Sequence, residues 1–172
     1  MNIENPAVKY GIYLGGFSVA FTMMLYFIDK ALIFNPFLPA AVLFVASIIF
    51  MVKAAKEEKM LDADGLLSYG DAVRVCFIVV AISSVIFAIF NYILFNFIDQ
   101  GLMEIMQQET TAMMENILNV VGEEEAIEQA KAEINKQDFK YGFGYVIADV
   151  VGSLIFGILK ALIVAIFVKN TA

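Results

Sequence analysis

The chain has 172 residues, 61% of them apolar and only 17% charged, with 11 Lys and Arg against 18 Asp and Glu for a net charge of −7. Soluble domains run about 45–50% apolar and about 25% charged, so a mean hydropathy of +0.80 needs lipid to cover the excess and implies one membrane domain. No His, no Trp and a single Cys exclude a Cys/His metal site, a disulfide framework, His-dependent triads and a His proton shuttle, and the chain has no basic patch for nucleic acid.

Apolar runs near the roughly 20 residues that cross a hydrocarbon core of about 30 Å predict four spans. The first covers 10–28, uncharged throughout. Lys9 is the only basic residue on its flank and no small-residue cleavage site follows, so it reads as a retained anchor and not a signal peptide. The second covers 37–52, entered through Asn35, Pro36 and Pro39, which predict a tight turn with the helix starting at Phe37 to Ala40. A polar stretch with Lys53, Lys56, Glu57, Glu58, Lys59, Asp62 and the turn-like Asp64-Gly65 follows. Ser68-Tyr69-Gly70-Asp71 then has capping-box spacing, with Asp where the usual box has Glu or Gln, and opens the third span at 74–98. The fourth covers 141–168 and holds two charges, Asp149 and Lys160.

Short cytoplasmic loops hold the excess of Lys and Arg. Lys9, Lys53, Lys56, Lys59, Arg74 and Lys169 lie on the side of the termini, and Lys30, Lys131, Lys136 and Lys140 on the other. Both termini are therefore expected inside and segment 99–140 outside. That segment carries ten acidic residues and three Lys, which equals the whole net charge. Leu102, Ile105, Met106, Met113, Ile117, Val120 and Val121 recur at helical spacing, Gly122 is a plausible stop, and Ala126, Ile127, Ala130 and Ile134 form a weaker second stripe. The pattern predicts a helical hairpin above the membrane, its first arm about 30 Å long and continuous with span three. The fold class is therefore all-α, a four-transmembrane-helix bundle with an extracytoplasmic helical hairpin between the third and fourth spans.

Tyr10-Gly11 and Gly15-Gly16 at the start of the first helix, Gly65-Leu66-Leu67-Ser68-Tyr69-Gly70-Asp71-Ala72 leading into the third, and the acidic segment before the last resemble the bacterial family known as domain of unknown function 4199. The resemblance spans nearly the whole chain. It implies a small four-helix membrane protein, typical of Bacteroidota, with no activity, ligand or partner established for the family and no catalytic residue to carry over.

Charged groups inside a span cost at least about 2.5–3.5 kcal/mol on insertion scales and are functional candidates by default. Asp149 and Lys160 share a helix face but stand about 16 Å apart along the axis, too far to pair. Helical side chains lean toward the N-terminus, so Asp149 leans toward the outer surface and Lys160 toward the bilayer middle. Depth matching of straight spans puts Ser18, Ser83, Ser84 and Lys160 about 14 Å above the inner surface and Asn91 level with Asp149. Two arrangements follow: a polar layer of Lys160 with the three serines plus an Asn91–Asp149 contact, or two charges that snorkel to the headgroups.

Gly144, Ala148 and Gly152 make a small-residue ridge on the fourth span, and Gly11 with Gly15 makes another on the first. Such ridges let backbones approach closely, so these two helices are expected to pack together, with a homodimer seam as the other use of the ridge. Gly152→Leu is then expected to disrupt the fold or the oligomer. Met103, Met106, Met113 and Met114 read as adaptable packing surface before a Cu(I) site. Glu123-Glu124-Glu125 reads as a solvated helix start before a Ca²⁺ site, and Cys76 as a small apolar residue. No cofactor, metal or catalytic constellation is expected.

The favoured reading is a non-enzymatic interaction or assembly component of the bacterial inner membrane, whose partners are the lipid bilayer and, through the acidic hairpin, an envelope protein or a second copy. The alternative is a small solute or ion transporter or channel using Lys160 and Asp149.

Overall fold

The computed structural model describes residues 5–62, 65–121 and 141–169. They form five α-helices and two short turns, with no strand among the described residues: α1 (Pro6–Ile28), a 3-10 turn (Lys30–Phe34), α2 (Leu38–Leu61), α3 (Tyr69–Ile93) continued by a π turn (Leu94–Ile98), α4 (Leu102–Val121) and α5 (Phe143–Val168). The helices α1, α2, α3 with its π turn, and α5 are long and apolar enough to cross a membrane, so the chain is a multi-pass membrane protein. Large side chains such as Phe27, Phe37, Phe156 and Phe167 stand on the outside, where lipid covers them.

Short polar side chains mark the helix starts. The Asn5 carboxamide accepts from the Ala7 and Val8 amides, with Pro6 following as the first helical residue. Asn35 accepts from the Phe37 and Leu38 amides before α2. At α3 the Ser68 hydroxyl accepts from the Asp71 amide at 3.2 Å and donates to the Asp71 carboxylate at 2.6 Å. The shorter Asp thus takes the hydroxyl proton where a Glu would reach back to the backbone. Ser68→Ala removes both bonds and is expected to cost about 1 kcal/mol, read as a lower unfolding midpoint in detergent; an unchanged midpoint would mean that α3 starts without its cap.

The helix α2 ends at Leu61, well past the predicted boundary at residue 52. Hydropathy stops at Val52, but packing does not. Ala54 and Ala55 are fully buried, and Glu57 forms an ion pair with Lys9 of α1.

In the bundle α3 is central, with α1 along one side and α5 along another, while α2 packs on α1 and α3 and touches α5 more lightly. The expected packing of α1 against α5 is therefore corrected. Both glycine-containing helices use α3 as their partner. A Cβ on Gly11 would lie 2.8 Å from Ile82 Cβ, and one on Gly15 would lie 2.9 Å from Ile86 Cδ1. On α5 the close approach falls at Gly157, where a Cβ would lie 2.5 Å from Val80 Cγ1. Gly144 and Gly152 have nothing within 4 Å of such a Cβ and Ala148 is exposed, so that ridge faces outward.

Two apolar plugs close the bundle. Toward the termini, Met51, Ala54, Ala55, Ala72, Cys76, Val79, Ala161 and Ala165 are fully buried, their small side chains letting the backbones close up. At the opposite, distal end, Leu94, Phe95, Leu102, Met103 and Tyr141 pack with Tyr26, Phe34 and Phe90, and the Phe95 and Tyr141 rings stack at 4.6 Å.

The first arm of the predicted hairpin exists as α4, but it does not continue α3. Asp99 leaves the helical conformation after the π turn and its carboxylate accepts from the Gly101 amide at 3.1 Å, restarting the chain as α4. The Asn96 amide donates to the Tyr92 and Tyr141 carbonyls, tying the π turn to the start of α5. The Gly122 stop, the second arm over 126–134, the Glu123–Glu125 cluster and Lys131, Lys136 and Lys140 lie outside the described residues.

Candidate functional site

Between the two plugs lies a cavity of about 270 Å³ to which all four spans contribute. Leu14 and Ser18 come from α1, Leu43 and Ser47 from α2, Val80, Ser83, Ser84 and Phe87 from α3, and Ser153, Phe156 and Lys160 from α5. Lys160, Ser18, Ser83 and Ser84, matched by depth in the sequence, thus meet in one place. Ser47 and Ser153 join them.

The Lys160 ammonium turns toward α2. Its ammonium donates to Ser47 Oγ at 3.0 Å and stands 5.6 Å from the centroid of the Phe44 ring, and no carboxylate among the described residues acts on it. A lysine leaning toward the N-terminal end of its helix reaches the middle of the bundle and not its nearer end.

The serine hydroxyls are anchored on their own helices: Ser18 donates to Leu14 O at 2.9 Å, Ser47 to Phe44 O at 2.7 Å, Ser83 to Val80 O and Ser84 to Ala81 O, each at 3.0 Å. Those carbonyls already belong to helical peptide units, so a hydroxyl that swings its proton to a ligand leaves little unsatisfied behind. A serine oxygen can also turn a lone pair to the ammonium, as Ser47 does. A cation with no carboxylate beside it among the described residues, set among neutral hydroxyls between two packed apolar plugs, is an arrangement that attracts a single negative charge.

Asp149 belongs elsewhere. Its carboxylate accepts from the Tyr141 hydroxyl, two helical turns toward the distal end as the side-chain lean requires, and the Asn91 amide is close enough to act on the same hydroxyl. The expected Asn91–Asp149 contact is thus replaced by Tyr141 standing between the two residues. Tyr141 precedes α5 and folds back into the distal plug, a placement no helical spacing could announce. Of the methionines, Met103 is buried and Met106 packs beside it in the plug, whereas Met113 and Met114 are exposed. Cys76 is fully buried.

The distal rim is tied by a second polar group. The Asp99 carboxylate accepts from Lys30 and from the Tyr26 hydroxyl at 3.0 Å, linking the end of α1 to the α3–α4 joint. The hydrogen bond from Lys30 holds the Asp99 carboxyl below the ordinary carboxylate range, and the same bond holds Lys30 above its own. A carboxyl lowered in the folded state contributes stability above its unfolded value, about 3.9, and loses it as pH falls through the folded value. Protection factors of the amides at 99–104, corrected for the intrinsic pH dependence of exchange, are expected to fall below that range in the wild type and to be low at every pH in Asp99→Asn; identical protection in both would remove this tie.

A larger cleft of about 390 Å³ opens near the termini, lined by Asn5, Glu58, Asp62, Asp71 and Arg74 among others. Its mixed charges sit at helix ends, where headgroups and water reach them.

A family model described as Protein of unknown function (DUF4199) matches residues 9–170. The chain belongs to this family. The match runs from Lys9 in the first turn of α1 past the end of α5, so the Lys160 cavity lies inside the DUF4199 region and is not an appendage to it. No curated protein and no solved structure matches the chain.

Proposed function

We propose that this DUF4199 protein is a small non-enzymatic membrane protein that binds a monoanion at Lys160 within the bilayer, the site on which a transport role would rest. One observation carries this reading: a lysine with no carboxylate partner among the described residues, in a cavity lined by five serines drawn from four spans. A structural lysine would need an acid beside it or a path to the headgroups, whereas the Lys160 ammonium meets Ser47 and no acid among the described residues. A dianion would leave a charge uncompensated at this depth, so the ligand carries one. The Lys and Arg bias supports an orientation with both termini cytoplasmic and α4 outside.

Benzoate is a suitable soluble probe, with one charge and a small apolar body. It is expected to raise the unfolding temperature of the wild type in a saturable manner and to leave Lys160→Met unmoved; equal shifts in both proteins would contradict the reading.

The assembly reading keeps a specific observation of its own. Met113 and Met114 on α4 and the Gly144/Ala148/Gly152 ridge of α5 are apolar or small surfaces that the bundle leaves uncovered. Cross-linking through Lys131, Lys136 and Lys140 in native membranes is expected to recover a stoichiometric envelope partner or a second copy if this role holds, and neither if it does not.

A further inference from the structure

Resting on the anion-binding reading, we infer that the ligand reaches Lys160 from the lipid and not from water, and that it is a single-chain amphiphile bearing one carboxylate. The two axial routes are closed. Toward the termini the way is filled by fully buried Met51, Ala54 and Cys76, and toward the distal end by Leu94, Leu102 and Phe95. The lateral route is open. Ser153 and Phe156 line the cavity and are exposed, and Phe156 and Phe44, whose ring lies under the Lys160 ammonium, show 68% and 52% of their surface. The opening lies between α2 and α5, the neighbouring pair with the lightest contact.

A ligand entering there needs an apolar body that stays in lipid and a charged end that fits a cavity of about 270 Å³ beside one ammonium. A carboxylate meets this with two oxygens, one for Lys160 and one for a serine hydroxyl. The tail gains little on moving from lipid to the aromatic mouth, since lipid chains are as apolar as the protein surface. Selection therefore rests on the head, and chain length matters little once the tail anchors the molecule in the bilayer.

The chain contains no Trp, so Phe156→Trp places one fluorophore at the mouth, with Phe44→Trp as a second reporter should the first fail to fold. In phosphatidylcholine vesicles, 9,10-dibromostearate is expected to quench this tryptophan at mole fractions about tenfold lower than its methyl ester, a difference of about 1.4 kcal/mol. Adding Lys160→Met should abolish the difference. Equal quenching by acid and ester with Lys160 in place overturns the lipid-borne ligand. If benzoate still raises the unfolding temperature through Lys160 in that case, the anion site stands and its ligand comes from water. If no probe depends on Lys160, both readings fall.

Discussion

Leucine at Gly157 is expected to unfold the bundle or lower its stability by about 3 kcal/mol or more. A single Cβ there would already lie 2.5 Å from Val80 Cγ1 and 3.2 Å from Val80 Cβ. Valine is stiff at its first torsion, so relief requires α3 and α5 to move apart. Gly11 is equally tight, because a Cβ would meet Ile82 Cβ at 2.8 Å and the Val79 carbonyl oxygen at 3.2 Å, and a backbone atom cannot rotate away. Alanine in a helix interior gains about 1 kcal/mol over glycine from propensity alone. Gly157→Ala and Gly11→Ala should nevertheless lose stability, because the clash outweighs that gain. Gly152→Ala and Gly144→Ala, with open space around them, should gain or stay level. Unfolding midpoints of the four alanine variants in one detergent check the order. A loss at Gly152 as large as at Gly157 would contradict the packing described, unless it tracks a change of oligomeric state.

Lys160→Met is expected to separate binding from stability. The substitution removes a hydrogen bond worth about 1 kcal/mol and relieves the burial of a cation that costs about 2.5–3.5 kcal/mol on insertion scales. The variant should therefore melt at the same temperature as the wild type or higher, while its affinity for a monocarboxylate falls by about a hundredfold or more, the usual result of deleting one partner of a desolvated charge pair. A lysine kept for structure would give the reverse pattern, a lower melting temperature with no change in binding. Stability stored against function in this way is common at binding sites.

The membrane class, the number of spans and most of their ends are legible in the sequence, because hydropathy over about 20 residues is a direct reading of the solvent. The end of α2 is not, because Ala54, Ala55 and the Lys9–Glu57 pair continue a helix whose apolar run has stopped. That boundary also hid Ser47. An α2 ending at residue 52 puts Ser47 near the membrane surface, whereas one ending at Leu61 carries it to the depth of Lys160. Ser153 was within reach, since seven residues separate it from Lys160 and place both on one helix face. The Gly11/Gly15 ridge showed a face that approaches a neighbour but not which neighbour, whereas the Gly144/Ala148/Gly152 ridge marked an outward face and the close approach of α5 falls at Gly157. The partner helix α3 meets them with Val80, Ile82 and Ile86, residues that carry no small-residue signature. Tyr141 owes its place between Asn91 and Asp149 to the fold of the distal end, which spacing along one helix does not encode.

The central claim is that the cavity at Lys160 takes an anion inside the bilayer. Diffraction from crystals grown in lipid with 4-bromobenzoate, collected at the bromine edge, tests it most directly. One anomalous peak is expected in the cavity, with the carboxylate within hydrogen-bonding distance of Lys160 Nζ and the bromine pointing toward Phe156 and the gap between α2 and α5. An empty cavity, or bromine only at the helix ends beside the Lys and Arg of the surface, would contradict it.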